Sequence, residues 1–271
     1  MRGRTPALFV GHGAAIFTTT PSDPTHQFLA GMAAEVAGWQ PRAIVVISAH
    51  YAGDPLRVTG PGPLTTIHDH PVREVQGYRY PGHGDEWLTR RVHAALGGAG
   101  LEARVDETRG LDHGAWVPLS LLLPKGEIPV AQLSLAVGAD ASGPSDHVAL
   151  GRVLGPLRNE GILLVGSGGI THDQGEFRRG YFGGRDVTVP APVSRDFDGW
   201  VTKVVTTRRG EERAAALAAF ERHPLAAAAH PTSEHFLPLL VIAGAAGKDA
   251  GRKRFEGFQH SLSTSAFQLG A

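Results

Sequence analysis

Residues 41–50 read Pro-Arg-Ala-Ile-Val-Val-Ile-Ser-Ala-His, and this stretch decides the fold class. Positions 43–48 form a continuous run, rich in β-branched residues, closed by Pro41 on one side and His50 on the other. A run of that length without polar alternation is buried on both faces, as is a strand covered by helices on either side. Outward from it the same unit recurs. Strands are predicted at residues 7–10, 56–59, 101–105, 130–135 and 162–165, with a closing strand at 261–269. Helices are predicted at 25–37, 85–96, 145–157, 193–207, 211–221 and 234–246. The first of these carries Phe28, Leu29, Met32, Ala33 and Val36 at helical spacing. In the last, Pro238 must lie in the first turn or kink the helix. Strands alternating with helices define an α/β fold: a central mixed or mostly parallel sheet with helices on both faces. There is no internal repeat and no long linker, so residues 1–271 read as a single domain. The segment 61–84 is the exception, a long irregular loop holding His68, Asp69, His70, Tyr78, Tyr80 and His83. Loops of this length inside a compact domain are usually functional or mobile.

Charge and cysteine content exclude several classes of function. Among the 271 residues, 26 basic side chains balance 26 acidic ones. A surface that binds nucleic acid by neutralising phosphates needs a cationic excess that this chain lacks, and the same balance offers nothing to an anionic membrane. No apolar run reaches transmembrane length, and the N-terminal Met-Arg-Gly-Arg-Thr-Pro is no signal peptide; a cytoplasmic location is the expectation. The chain has no cysteine, which excludes disulfides, thiolate-bound zinc and thiol catalysis. Any metal must be held by His, Asp or Glu.

Five histidines stand where predicted strands run out or a helix begins: His12, His50, His113, His172 and His235. In α/β proteins the carboxyl ends of the strands are where ligands and metals bind. Each alone has a bland alternative, such as a turn histidine bonded to a neighbouring carbonyl; five together point to a metal site with acid/base groups beside it. His230 and His235 are not the i, i+4 pair of a helical zinc motif. Five residues turn a helix by about 500°, so the two rings would not share a face. Pro231 and Thr232 are expected to break the chain there, leaving His235 or Glu234 as candidate ligand and His230 as a loop-bracing or pocket residue. Asp112 and Asp173 adjoin His113 and His172, but a carboxylate one residue away often cannot reach the ring.

The words of the sequence also carry a resemblance. Phe-Val-Gly-His-Gly (9–13), Ile-Ser-Ala-His-Tyr (47–51), Thr-Ile-His-Asp (66–69), Leu-Asp-His-Gly-Ala-Trp-Val-Pro-Leu (111–119), Gly-Ser-Gly-Gly-Ile-Thr-His-Asp (166–173), His-Pro-Thr-Ser-Glu-His-Phe-Leu-Pro-Leu-Leu (230–240) and Gly-Phe-Gln-His-Ser-Leu-Ser-Thr-Ser-Ala-Phe (257–267) occur in that order. Together they resemble the class III extradiol ring-cleavage dioxygenases, in their DODA-type branch. The resemblance implies a mononuclear metal held by His12, His50 and His235, with His172 as acid/base or as a fourth ligand. It implies His113 in contact with substrate or oxygen and His230 lining the pocket. The length, glycine content and two tyrosines of the 61–84 loop predict a lid on which His68, Tyr78 or Tyr80 faces the substrate. The activity implied is opening of a catechol ring by O₂ to a semialdehyde, with a small aromatic diol and O₂ as partners. Fe(2+) is the expected cofactor; three neutral imidazoles also suit Zn(2+). The chain departs from the better-known branch, which has a Glu as third ligand where His235 stands here, and from the expected loop at Asp69-His70-Pro71. Two alternatives have a place beside this one: a metal-binding interaction or redox protein without ring-cleaving activity, and a zinc hydrolase. Nothing in the sequence specifies the oligomeric state.

Overall fold

Side chains alternate along the strands into two separate cores. From β1 (Ala7–Gly11), Ala7 and Phe9 enter one core while Leu8 and Val10 enter the other. From β2 (Ala43–Gly53), Val45 and Ile47 go one way and Ile44 and Val46 the opposite way. A strand's period of two, with both faces covered, requires this division. The computed structural model describes residues 3–70, 73–137, 143–184, 186 and 188–271, so Pro71 of the long loop lies outside the described residues.

The remaining strands are β3 (Leu56–Thr59), β4 (Gly62–Pro63), β5 (His83–Gly84), β6 (Ala103–Asp106), β7 (Val130–Ala136), β8 (Ile162–Gly168), β9 (Gly251–Phe255), β10 (Phe258–Gln259), β11 (Leu262–Ser263) and β12 (Ala266–Leu269). Together with β1 and β2, six of them form an eight-stranded sheet in the order β6-β3-β7-β2-β8-β1-β12-β9. Its centre, β7-β2-β8-β1, is parallel throughout. The antiparallel pairs are β3 with β7, β1 with β12, and β12 with β9. The helices are α1 (Pro24–Gly38), α2 (Glu86–Gly98), α3 (His113–Leu122), α4 (Pro144–Leu154), α5 (Gln174–Phe182), α6 (Pro192–Thr207), α7 (Gly210–Ala218), α8 (Ala226–Ala229) and α9 (Leu237–Ala246). Helices α1 and α3 supply the core on one face; α2, α4 and α6 to α9 supply the other. The α/β class, the mixed sheet and the double covering agree with expectation.

Several elements differ from the sequence reading, each for a physical reason. Helix α3 gives no amphipathic signal because every residue in it except Leu121 is buried, and α5 was likewise not anticipated. The last helix begins at Leu237 and not at Glu234, with Pro238 accommodated in its first turn, where no backbone donor is needed. Glu234 and His235 lie in the turn that leads into it. The closing strand is interrupted, β11 and β12 being separated by Thr264 and Ser265. Strand β2 runs past the expected end at Ser48 and includes His50; its register with β7 shifts between Ile47 and Ala52. Such an irregularity re-aims the side chains it contains, and His50 lies inside it.

Candidate active site

The carboxyl ends of β1, β2 and β8 converge, and the chain leaving each brings one histidine: His12 after β1, His50 within the end of β2, His172 beyond β8. The first residue of α3 contributes His113, and the turn before α9 contributes His235. Two glycines make this convergence possible. A Cβ on Gly168 would lie 2.1 Å from the His235 carbonyl oxygen, so only glycine lets the entry to α9 come this close to β8. A Cβ on Gly114 would lie 2.3 Å from Ser48 Oγ and 3.0 Å from His50 Cδ2.

The rings form a tight group. His12 Nε2 lies 3.0 Å from His50 Nε2. Ring centres are 5.0 Å apart for His12 and His50, 5.2 Å for His12 and His235, and 4.8 Å for His50 and His235. His113 stands 3.9 Å from His50 and 5.3 Å from His12. His172 stacks on His235 at 3.3 Å with an interplanar angle of 11°. Donor atoms lying within 4.8 Å of one another fall into two sets: His12, His50 and His113, and His172, Glu234 and His235.

Hydrogen bonds around the group set which nitrogen of each ring points inward. Pro118 has no N–H to give the Gly114 carbonyl four residues back, and that carbonyl accepts the Ser167 hydroxyl proton instead. With its proton committed, Ser167 Oγ accepts from His12 Nδ1 at 3.0 Å, which leaves the His12 Nε2 lone pair facing the group. His235 Nδ1 lies 2.9 Å from the Glu234 carboxylate, which leaves its Nε2 free in the same way. Metal-binding histidines are held in this manner, one nitrogen on the ion and the other tied to a fixed acceptor. His50 is placed through its backbone: its N–H donates to Ser48 Oγ at 3.1 Å, and Ser48 donates to Asp112 Oδ1 at 2.7 Å. Asp112 is fully buried and also receives the α3 N-terminus through Ala115 N, together with Arg109 and Gln132.

Neither adjacent aspartate orients its neighbouring ring. Asp112 caps α3, and Asp173 caps α5 by accepting from Glu176 N at 2.9 Å. The partner of His113 is Asp69, from the long loop, whose Oδ1 accepts from both His113 Nδ1 at 2.9 Å and the His113 backbone N–H at 3.0 Å. The carboxylate nearest His172 is Glu234, 3.8 Å from its Nδ1. The sequence reading missed Asp69, Ser167 and Glu234 as supports; only Glu234, adjacent to His235, carried a local signal.

Burial dominates the proton affinities. It drives His12 well below the usual histidine range, reinforced first by His50 and then by His235. It does the same to His235, with His172 as the next cause. His50 is brought down to about 4 by burial and then by His113. His172 falls to about 4 because burial outweighs the pull of Glu234. These rings are therefore neutral at neutral pH, the form that binds a metal.

His230 is buried among Phe197, Phe220 and Phe236, with Nε2 at 2.7 Å from the Ile170 carbonyl. It reaches a cleft of about 600 Å³ that Glu234, Thr232 and Leu237 also line. On the other side, the long loop packs on α3. Trp116 Nε1 donates to the Ile67 carbonyl at 3.0 Å, Tyr78 stacks on Trp116 at 5.3 Å, and His68 meets the same indole at 5.8 Å. His68 Nδ1 is buried with no hydrogen-bond partner. Tyr80 departs from the expectation that it faces substrate: it is buried in the core, with its hydroxyl on the Leu123 carbonyl at 3.1 Å.

Neutral imidazoles gathered at the carboxyl ends of a parallel sheet suit a metal ion. Residues 6–268 match the family described as the catalytic LigB subunit of aromatic ring-opening dioxygenase, and the chain belongs to that family. Within it the chain is an extradiol dioxygenase of the DODA type. It is 36% identical over 253 residues to the 4,5-DOPA dioxygenase extradiol of Beta vulgaris, covering 90% of this chain and 87% of that one. Against the protein of the same description from Escherichia coli K12, identity is 33% over 274 residues, covering 98% and 95%. The crystal structure of an uncharacterised protein from Escherichia coli K12 superposes with a TM-score of 0.74 at 30% identity, covering 98% of this chain and all of that one. The protein acts on an aromatic substrate and O₂. Among the described residues, no helix is long and apolar enough to cross a membrane.

Proposed function

We propose that the chain opens a catechol ring next to its diol, adding both atoms of O₂ to give a semialdehyde, with ferrous iron held by His12, His50 and His235. The observation that carries the ligand set is ring spacing. Three imidazoles bound end-on to one ion at about 2.1 Å place their ring centres roughly 4.5–5.2 Å apart for bond angles of about 90–110°. The 5.0, 5.2 and 4.8 Å spacings of His12, His50 and His235 match this. His113 is the weaker candidate, because its ring centre is only 3.9 Å from that of His50, too close for two imidazoles bound end-on to one ion. The donor-atom grouping that puts His113 with His12 and His50 is satisfied by a substrate-facing ring beside the ion. The iron, when bound, supplies a meeting point for the diol and O₂, whose direct reaction is spin-forbidden; Zn(2+) fits the same donors but does not supply that redox chemistry.

The chain's own groups do the rest. His172, neutral and beside His235, is the base for a substrate hydroxyl proton, with Glu234 3.8 Å from its Nδ1 and the Gln174 amide nitrogen 3.4 Å from its Nε2. His113 meets the diol or the oxygen. His68, with its buried unpartnered Nδ1, and His230, at the edge of the cleft, contact the ring substituents. Trp116 and the covering loop exclude water, which protects reactive oxygen species from side reactions.

Anaerobic loading with ferrous iron, followed by oxygen uptake against a panel of catechols, tests this. His172→Ala is expected to keep the metal and lose turnover by about 10²–10⁴-fold. Absence of oxygen uptake with every catechol refutes the substrate class; loss of metal in step with activity makes His172 a ligand.

A further inference from the structure

The 61–84 loop is more than a cover. Its segment before Asp69 is clamped to the chain that leads into α3: Leu111 N donates to the Thr65 carbonyl and Ile67 N to the Leu111 carbonyl, each at 2.8 Å, and Trp116 Nε1 reaches the Ile67 carbonyl. The approach is so close that a Cβ on Gly110 would lie 2.2 Å from the Thr65 carbonyl oxygen. Asp69 thus projects from a fixed backbone. A carboxylate only accepts hydrogen bonds, so the contact to His113 requires a proton on Nδ1 and leaves Nε2 to the site. Burial pushes Asp69 upward, but the His113 side-chain and backbone hydrogen bonds outweigh it and hold the carboxyl below its usual range. Both contacts use the same atom, Oδ1.

We infer that Asp69 is a positioning residue for ring opening: from the clamped loop it holds His113 as the Nδ1–H tautomer, with Nε2 presented to the histidine group. This rests on the proposal above that His113 meets substrate or oxygen at that nitrogen. Because one oxygen serves both contacts, an asparagine with its carbonyl oxygen in the place of Oδ1 satisfies both, whereas alanine satisfies neither.

The test uses the full chain with Asp69→Ala, Asp69→Asn, His113→Ala and the Asp69→Ala/His113→Ala double variant. Nitrogen-15 NMR of labelled, metal-free protein reads the His113 tautomer directly. The expected result is Nδ1–H in the parent and in Asp69→Asn, with the preference lost in Asp69→Ala. In iron-loaded protein, Asp69→Ala is expected to lower kcat by about 10–100-fold at parental metal content. Asp69→Asn should stay within a few-fold of the parent, and the double variant should match His113→Ala alone. An Nε2–H tautomer in the parent, an Asp69→Asn variant as impaired as Asp69→Ala, or additive losses in the double variant overturn the inference. His113→Ala impaired with Asp69→Ala unimpaired overturns it alone; His113→Ala at parental turnover overturns the His113 assignment beneath it as well.

Discussion

Gly114→Ala perturbs the site without replacing any proposed ligand, acid/base group or loop residue. The new methyl would sit 2.3 Å from Ser48 Oγ and 3.0 Å from His50 Cδ2. Ser48 cannot turn away freely, since its hydroxyl donates to Asp112 and accepts from His50 N–H. Overpacking of this kind costs about 1–3 kcal/mol. Losing the Ser48 bonds adds about 1 kcal/mol each, and alanine's better helix propensity in α3 returns about 1 kcal/mol. The net is roughly 2–4 kcal/mol. For a chain of this size that corresponds to a fall in Tm of roughly 4–16 °C. The part of the strain taken up by His50 should also appear as about 10–100-fold weaker metal binding. Thermal melting with and without chelator, together with a metal titration, measures both. Ser48→Ala in the same chain removes the clashing oxygen, so the double variant should recover part of the Tm. A Gly114→Ala protein that melts within a degree of the parent and binds metal equally well would show that α3 does not press on His50 as described.

Ring spacing makes a sharper division among the histidines: His12→Ala and His50→Ala should lose bound metal, while His113→Ala retains it, as read by metal analysis after dialysis. Stability of the metal-free protein should fall with acid. His50, His172 and His230 are held down to about 4 by burial, whereas unfolded imidazoles titrate near 6.5. Between those values the unfolded chain binds more protons, so the contribution is complete above 6.5 and is lost as pH falls toward 4; equal urea midpoints at pH 7 and pH 5 would contradict it. Tyr78→Ala should alter kcat/KM unevenly across catechols with charged and neutral substituents, because Tyr78 belongs to the long loop expected to face the substrate and stacks there on Trp116 of α3. Tyr80→Phe should leave that ratio alone and cost only about 1 kcal/mol in a denaturant melt, the worth of its bond to Leu123.

How much of this was legible in the chain depends on the range of the interaction. The β2 run at 43–48, the period of α1 and the histidines at strand ends are local patterns, and they anticipated the α/β class and the five rings that gather. Helix α3 was not legible because a helix buried all round has no polar face to mark its period. The order of the strands, the antiparallel flank of β12 and β9, and the register shift that re-aims His50 belong to pairings between distant segments.

The rings' partners divide in the same way. Sequence alone determined that His, Asp or Glu had to hold any metal this chain binds, since it has no cysteine, and it put five histidines at strand ends or a helix start. It offered Asp112 and Asp173 as neighbours of His113 and His172. Tertiary structure assigned those carboxylates to helix caps. It brought Asp69 to His113 from 44 residues away, and Ser167 to His12 from 155. The physical reason is direction. A residue's neighbour along the chain points elsewhere, while a hydrogen bond needs a donor and acceptor aimed at each other within about 3 Å, and only packing brings two distant segments to that distance at that angle.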